Sequence, residues 1–226
     1  MELIHSILRA DANLKAYYRL EANGNDSTAN AYNLTTVAGT PTYADVKYGN
    51  GLVCDSGENI SAVTNCGITT GNCSIAFWLK PTVDISTGVS QLVQLNVGDE
   101  TDVGHGIQYE YNAGTRRLYF RRSRWNVAHQ GPYYNITLGT SGSYHIVYTY
   151  DGTNVRGYVN GQLVAGPTAA SGNGSGTTSA QTCIGVSASV SLAAKFDDVV
   201  IFSKALSASE VLELYSGEQK QFFQMF

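Results

Sequence analysis

The chain reads as an all-β protein, an antiparallel two-sheet sandwich with short terminal helical segments. Three observations carry this reading. A dozen or so short runs, several alternating apolar and polar residues, recur at regular spacing. Asp151-Gly152 and Asn160-Gly161 each separate two such runs. These dipeptides are the strongest short hairpin signals, because a type I′ turn needs positive φ at both central residues. No internal repeat and no helix long enough for a parallel crossover is visible, which leaves antiparallel neighbours.

Taken in order, Leu3, Ile4, Ile7 and Leu8 recur at helical spacing and predict a short amphipathic turn. Leu14–Leu20 alternates and predicts a strand. Asn23–Asn30 is a polar loop. Gly51–Cys54 and Asn59–Val63 predict two short strands about a turn at Asp55-Ser56-Gly57. Ser74–Pro81 is a strong strand that Pro81 is expected to end. Val89–Val97, Gly106–Tyr111 and Arg116–Arg122 follow, the last two joined by a turn at Asn112-Ala113-Gly114. Tyr144–Tyr150, Val155–Val159 and Gln162–Val164 form a meander through the two hairpin dipeptides. Ala169–Thr178 is a Ser/Gly/Thr loop, and Gln181–Val186 and Phe196–Phe202 are further strands. Ser207 with Glu210 three residues on makes a capping box for a terminal helix, and Gly217 is expected to stop it.

Composition narrows the function classes. The 226 residues suit one large all-β domain, expected over 1–217. Hydrophobic residues reach 43%, enough for a core, while charged residues are only 14%, so Ser, Thr, Asn, Gly and Tyr must cover the surface. The net charge of -4 argues against nucleic-acid binding. Met1–Arg9 lacks a long apolar run, so neither a signal peptide nor a membrane span is expected there. The four cysteines are Cys54, Cys66, Cys73 and Cys183. The spacing of Cys66 and Cys73 around two glycines permits a local loop disulfide, and redox compartment decides whether it forms. Cys54 and Cys183 sit in strand-like runs, where a small buried hydrophobe is the plain reading. No CxxC or His/Cys cluster points to zinc.

Several segments resemble a known family. Ala16-Tyr17-Tyr18-Arg19-Leu20 with Asn25-Asp26-Ser27, Tyr48-Gly49-Asn50-Gly51, Ile75–Pro81, Tyr158-Val159-Asn160-Gly161 and Phe196-Asp197-Asp198-Val199 resemble, in order, the blocks of a laminin-G-like jelly roll. That family lies within the concanavalin A-like lectin/glucanase superfamily. The match runs from about residue 10 to 217. Cys54 stands where the family usually has Phe, Tyr18 replaces a more usual Trp, and Arg121–Tyr134 aligns with no block. The resemblance implies two curved antiparallel sheets, a role in binding carbohydrate, a cell surface or other subunits, and in many members a calcium ion at one edge.

Four features are candidates for function. The resemblance places Asp26 and Asp197 at calcium-ligand positions, and Asn30 could add a carbonyl to the six to eight oxygens this ion wants. The plain alternative makes Asp26 a turn former and Asp197 an acceptor for loop amides. The second feature is a set of arginines and aromatics: Arg121, Arg122 and Arg124 with Trp125, Tyr133 and Tyr134, flanked by Arg116 and Arg117. Aromatic rings stack on sugar faces and Arg forks reach hydroxyls or carboxylates, so this stretch is a candidate glycan face. The alternative is an edge hairpin protected by charge. Trp78, Tyr150 and Tyr158 read as packing residues. The third feature concerns catalysis. No Glu-x-Asp-x-x-Glu run exists, Glu110 stands alone between Tyr109 and Tyr111, and the four histidines suggest no triad. The expectation is therefore a binding module, not an enzyme. The fourth is the apolar tail 218–226, with Phe222, Phe223, Met225 and Phe226. Together with the N-terminal face it suggests docking to protein partners or a homo-oligomer. An alternative reading follows: a structural or decoration subunit of a virion or surface assembly. The expected setting is extracellular or a virion surface.

Overall fold

The computed structural model describes residues 11–47, 49–68, 71–95, 104–123, 130–170, 181–187 and 192–223. Among them are two antiparallel sheets packed face to face, a jelly-roll sandwich. The first runs from edge to edge as β13 (Gln162–Ala169), β12 (Asn154–Val159), β11 (Tyr144–Tyr150), β6 (Cys73–Val83), β15 (Ala193–Phe202), β4 (Asn50–Cys54) and β3 (Thr42–Asp45). β1 (Leu14–Tyr18) also pairs with β15. The second runs as β10 (Tyr133–Asn135), β9 (Thr115–Ser123), β8 (Gly104–Asn112), β7 (Gly88–Leu95), β14 (Thr182–Ser187), β5 (Asn59–Ala62) and β2 (Thr36–Ala38).

The predicted meander is present, with Val147 facing Tyr158 across one hairpin and Val159 facing Gln162 across the other. Asn160 and Gly161 both take positive φ, as the turn requires. Ala113 and Gly114 do the same between β8 and β9, where Asn112 faces Thr115. β6 continues two residues past Pro81. Its last rung with β11 is Leu79 opposite Tyr144, so the proline lies where β11 no longer asks for an N–H. β2, β3 and β10 were not foreseen. All are short edge strands of mixed composition, where alternation has little length to show itself.

The core lies between the sheets and includes Phe77, Leu79, Ile107, Tyr109, Leu118, Phe120, Ile146, Tyr148, Ile184 and Phe196. Side chains of this size each contribute about 1.5–3 kcal/mol on burial. The fit is close at Gly157, where an added Cβ would collide with the Phe120 ring. A second apolar cluster forms on the other face of the first sheet from Tyr17, Ala76, Val147, Tyr158, Val200, Phe202 and Val211. Helix α1 (Ala208–Phe223) supplies the last of these. Tyr215 stacks beside Trp78 and His145 at ring separations of 5.9 and 6.0 Å. Tyr158 is thus a packing residue of this outer cluster, Trp78 is buried against His145 and Tyr215, and Tyr150 belongs to the core.

The capping box is as predicted: Ser207 N–H donates to Glu210 at 2.8 Å and Glu210 N–H to the Ser207 hydroxyl at 3.3 Å. Gly217 does not stop the helix. Glu218, Gln219, Lys220 and Gln221 are good helix formers, and they outweigh a glycine cost of about 1 kcal/mol. No described helix is long and apolar enough to cross a membrane. The N-terminal amphipathic turn and the side chains of 218–226 lie outside the described residues, so the docking expectation built on them does too.

The four cysteines are free thiols, and the expected Cys66–Cys73 bridge is corrected. Cys66 takes φ 52° and lies between the Tyr18 and Thr182 hydroxyls, 3.3 Å from each. Cys73 is on β6 opposite Tyr150. Burial raises both thiol pKa values, for Cys73 beyond the ordinary thiol range.

Candidate functional site: the outer face of the second sheet

Strand alternation decides which side chains leave the core. Ile107 and Tyr109 on β8, and Leu118 and Phe120 on β9, point inward. Gln108, Glu110, Arg117, Tyr119 and Arg121 therefore point outward. Residues directly opposite in an antiparallel pair share a face. The register then builds rows across four strands. One is Gln91 (β7), Gln108 (β8), Tyr119 (β9) and Tyr133 (β10). Beside it run Val89, Glu110, Arg117 and Asn135. Beyond Gln108, on the other side, Gln94, Gly106 and Arg121 are aligned. At a strand spacing of about 4.8 Å, the first row spans roughly 14 Å.

The two ends of this row differ in chemistry. At the β10 end, Tyr119 and Tyr133 stack with centroids 6.1 Å apart and planes at 28°. The Arg117 guanidinium lies over both rings, 5.7 Å from Tyr119 and 4.7 Å from Tyr133. Arg117 also forms an ion pair with Glu110, so the buried carboxylate has the partner it requires. Tyr133 is 52% exposed and presents its ring to solvent. Burial raises the Tyr119 hydroxyl pKa, with Arg117 opposing, and burial lowers that of Arg121. At the β7 end, Gln91 and Gln108 are only 3% and 2% exposed. Their Oε1 atoms accept no hydrogen bond among the described residues. Buried amide oxygens normally have donors, so this pair stands out.

Of the residues singled out in the sequence, Arg121 and Tyr133 belong to this face. Arg122 does not. It is one residue from Arg121 and faces the other way, into the core, as alternation through Leu118 and Phe120 dictates. There its Nη1 meets His105 Nε2 at 3.1 Å, and its guanidinium sits 4.2 Å over the Tyr150 ring. Arginine only donates, so Nε2 accepts and Nδ1–H donates to the Tyr148 hydroxyl at 2.8 Å. Burial, then the Arg122 charge, holds the His105 pKa well below the usual imidazole value. Tyr134 likewise packs against the core. Arg124 and Trp125 lie outside the described residues. Gln91, Gln108 and Tyr119 were missed. The alternation of β8 and β9 pointed to the last two, but only the register joins them to Gln91.

The acidic residues on and beside the first sheet do different work. Asp26 Oδ1 accepts from Tyr17 N at 3.0 Å and Thr28 N at 2.9 Å. Its Oδ2 accepts from Thr28 Oγ1 at 2.8 Å and Tyr32 N at 3.0 Å. Asn30 Nδ2 donates to the Lys15 carbonyl. Four donors meet the Asp26 carboxylate, so it clamps the loop to β1. No group of three or more His, Cys, Asp or Glu that could hold a metal occurs among the described residues. Asp197 is buried on β15 opposite Trp78. Next to it β15 is irregular: β4 pairs with it up to Phe196, β1 takes over from Val199, and Asp198 between them takes φ 46°. The Tyr17 hydroxyl donates to Asp198 Oδ1 at 2.5 Å. Burial pushes the Asp198 pKa up to about 6 against that bond and the Arg19 charge.

Comparison with known proteins agrees with this architecture. A search of curated sequences found no match. The fold is similar to that of domain 4 of AbnA, a GH43 extracellular arabinanase from Geobacillus stearothermophilus, solved in complex with arabinotriose. The TM-score is 0.66 at 20% identity, over 90% of this chain and 98% of that one. It is also similar to the receptor binding domain of the botulinum neurotoxin C/D mosaic serotype (TM-score 0.67, 18% identity, 91% of this chain and 51% of that one). The binding domain of botulinum neurotoxin DC in complex with SialylT gives 0.66 at 14% identity, over 92% and 52%. The chain thus spans about half the length of these toxin domains, and such identities show the fold alone. A family profile, the laminin G type of the concanavalin A-like lectin/glucanases superfamily, matches residues 55–212. With most of its length matched, the chain belongs to the concanavalin A-like lectin/glucanases superfamily.

Proposed function

We propose that the chain is a non-catalytic carbohydrate-binding module that holds a glycan along the Gln91–Gln108–Tyr119–Tyr133 row. The observation that carries this is the row itself: buried amides beside a stacked tyrosine pair whose outer member, Tyr133, is open to solvent, aligned across four strands. Amides meet sugar hydroxyls and tyrosine rings cover the C–H faces of sugars. A row of roughly 14 Å suits a short oligosaccharide better than one sugar. Two structural neighbours were solved in complex with arabinotriose and with SialylT, and the first belongs to an extracellular enzyme, which fits an extracellular setting here. Glycoside hydrolysis needs two carboxylates about a cleft. The described part of this face offers Glu110, which Arg117 already engages.

The test is calorimetric titration of the chain with a panel of soluble oligosaccharides, repeated on Tyr133→Ala. Binding by the native chain and a roughly fivefold weaker Kd in the variant, about 1 kcal/mol of lost stacking, are expected. The absence of binding to every member of a broad panel at millimolar concentration would overturn the proposal.

A further inference from the structure

We propose a second ligand site, in the cleft beside β1, for a molecule that carries a single carboxylate on a hydroxyl-rich body; it stands independently of the reading of the second sheet. The cleft has a volume of about 420 Å³, and its lining includes Asp11, Leu14, Lys15, Ser27, Thr28 and Asn30. Its chemistry centres on Lys15, the extra residue of a β-bulge: Leu14 faces Phe202 on β15, and Ala16 faces the adjacent Ile201. The bulge lets Leu14 and Tyr17 both join the outer cluster while Ala16 and Tyr18 enter the core. Both apolar faces are thereby filled, and Lys15, half-buried, is left to line the cleft.

Lys15 Nζ forms no ion pair and no hydrogen bond with the described residues. Its backbone is fixed all the same, because its carbonyl accepts from Asn30 Nδ2 at 2.9 Å and from Thr28 Oγ1 at 3.4 Å. The Ser27 hydroxyl likewise has no partner among the described residues, and Asn30 Nδ2 keeps one N–H beyond the one it gives to Lys15. An ammonium, a hydroxyl and an amide N–H all donate, so the group they receive is an oxyanion. Asp11, which also lines the cleft, limits its charge. Asp11 Oδ2 is 2.6 Å from Lys204, and Glu210 engages the same ammonium at 2.6 Å. Two carboxylates to one lysine leave a negative charge uncompensated there, so Lys15 can hold one anionic charge and a second is repelled. Asn30 Oδ1, which accepts nothing from the described residues, is an acceptor for hydroxyls on the ligand body.

The experiment follows amide chemical shifts of the whole labelled chain at about pH 7.5 with glucuronate, glucose and glucose 6-phosphate, the last dianionic there. Glucuronate should shift Lys15, Ser27, Thr28 and Asn30 saturably, with a Kd in the millimolar range that weakens as salt rises. Glucose should leave these amides unmoved, and glucose 6-phosphate should bind at least about fivefold more weakly than glucuronate. Lys15→Gln removes the charge and should weaken glucuronate at least about fivefold with Tm unchanged, since Nζ supports nothing in the fold, whereas Lys15→Arg should stay within about twofold. Ser27→Ala should weaken it about threefold. The shifts should persist in Tyr133→Ala, which separates this cleft from the row on the second sheet. No saturable shift with glucuronate, or undiminished binding by Lys15→Gln, would show a solvated lysine and overturn the proposal. Glucose binding as tightly would remove the carboxylate requirement, and glucose 6-phosphate binding as tightly would remove the single-charge limit; either result overturns it. Loss of the shifts in Tyr133→Ala would place glucuronate on the second sheet and overturn it as well.

Discussion

Replacing Asp26 by alanine removes the acceptor of four hydrogen bonds at once. Three of the donors are backbone N–H groups, of Tyr17, Thr28 and Tyr32, and the fourth is the Thr28 hydroxyl. Hydrogen bonds to a charged group contribute about 1.5–3 kcal/mol each. The loop is partly open, so water recovers some of this, and a net loss of about 3–4 kcal/mol is expected. For a chain of this size that corresponds to a fall in Tm of roughly 10 °C. Asp26→Asn keeps one acceptor oxygen but turns an N–H toward two donors, so it should lose about half as much. Thermal melts by circular dichroism measure both. The same melts with millimolar calcium and with chelator should superimpose for the native chain, because the carboxylate already serves four donors. A calcium-dependent rise in Tm that disappears in Asp26→Ala would refute the clamp, as would a loss below about 1 kcal/mol in the alanine variant.

Other sites give sharper local tests. Asp198 has a folded-state pKa above its unfolded value, so the native state binds the extra proton and stability falls as pH rises from about 4 to about 6. The full penalty is at most about 3 kcal/mol, and Asp198→Asn, which tolerates positive φ, should flatten that slope in melts across pH. Native alkylation should be slow at Cys54, Cys66 and Cys73, and reductant should leave Tm unchanged, since all four thiols are free. Gly157→Ala should destabilise by about 1–3 kcal/mol through overpacking against Phe120, and Gly157→Ala with Phe120→Leu should recover part of it; additivity of the two losses would contradict the contact.

The sequence made some levels of this structure legible and hid others for physical reasons. Asn160-Gly161 and the Ser207/Glu210 box act within a few residues, and each does in the fold what its local chemistry predicts; Asp151-Gly152 also turns the chain, but through a longer loop in which only Gly152 takes positive φ and Asp151 Oδ1 accepts from the Thr153 and Asn154 N–H groups. Arg121 and Arg122 show a weaker inference. They look like one basic cluster, yet period-two alternation sends them to opposite faces, and Leu118 and Phe120 could have said so. Asp26 was ambiguous because a carboxylate in a polar loop serves backbone N–H groups or an ion equally well until its donors are known. The site itself was least legible. Gln91, Gln108, Tyr119 and Tyr133 come from four strands, and only the register between those strands lines them up.

The most direct test of the central claim is the binding footprint. Amide chemical shifts of the labelled chain, followed through titration with an oligosaccharide that binds, should move most at Gln91, Gln108, Tyr119 and Tyr133 and their strand neighbours. Perturbations gathered instead at α1 and the first sheet, with this row unmoved, would contradict the account.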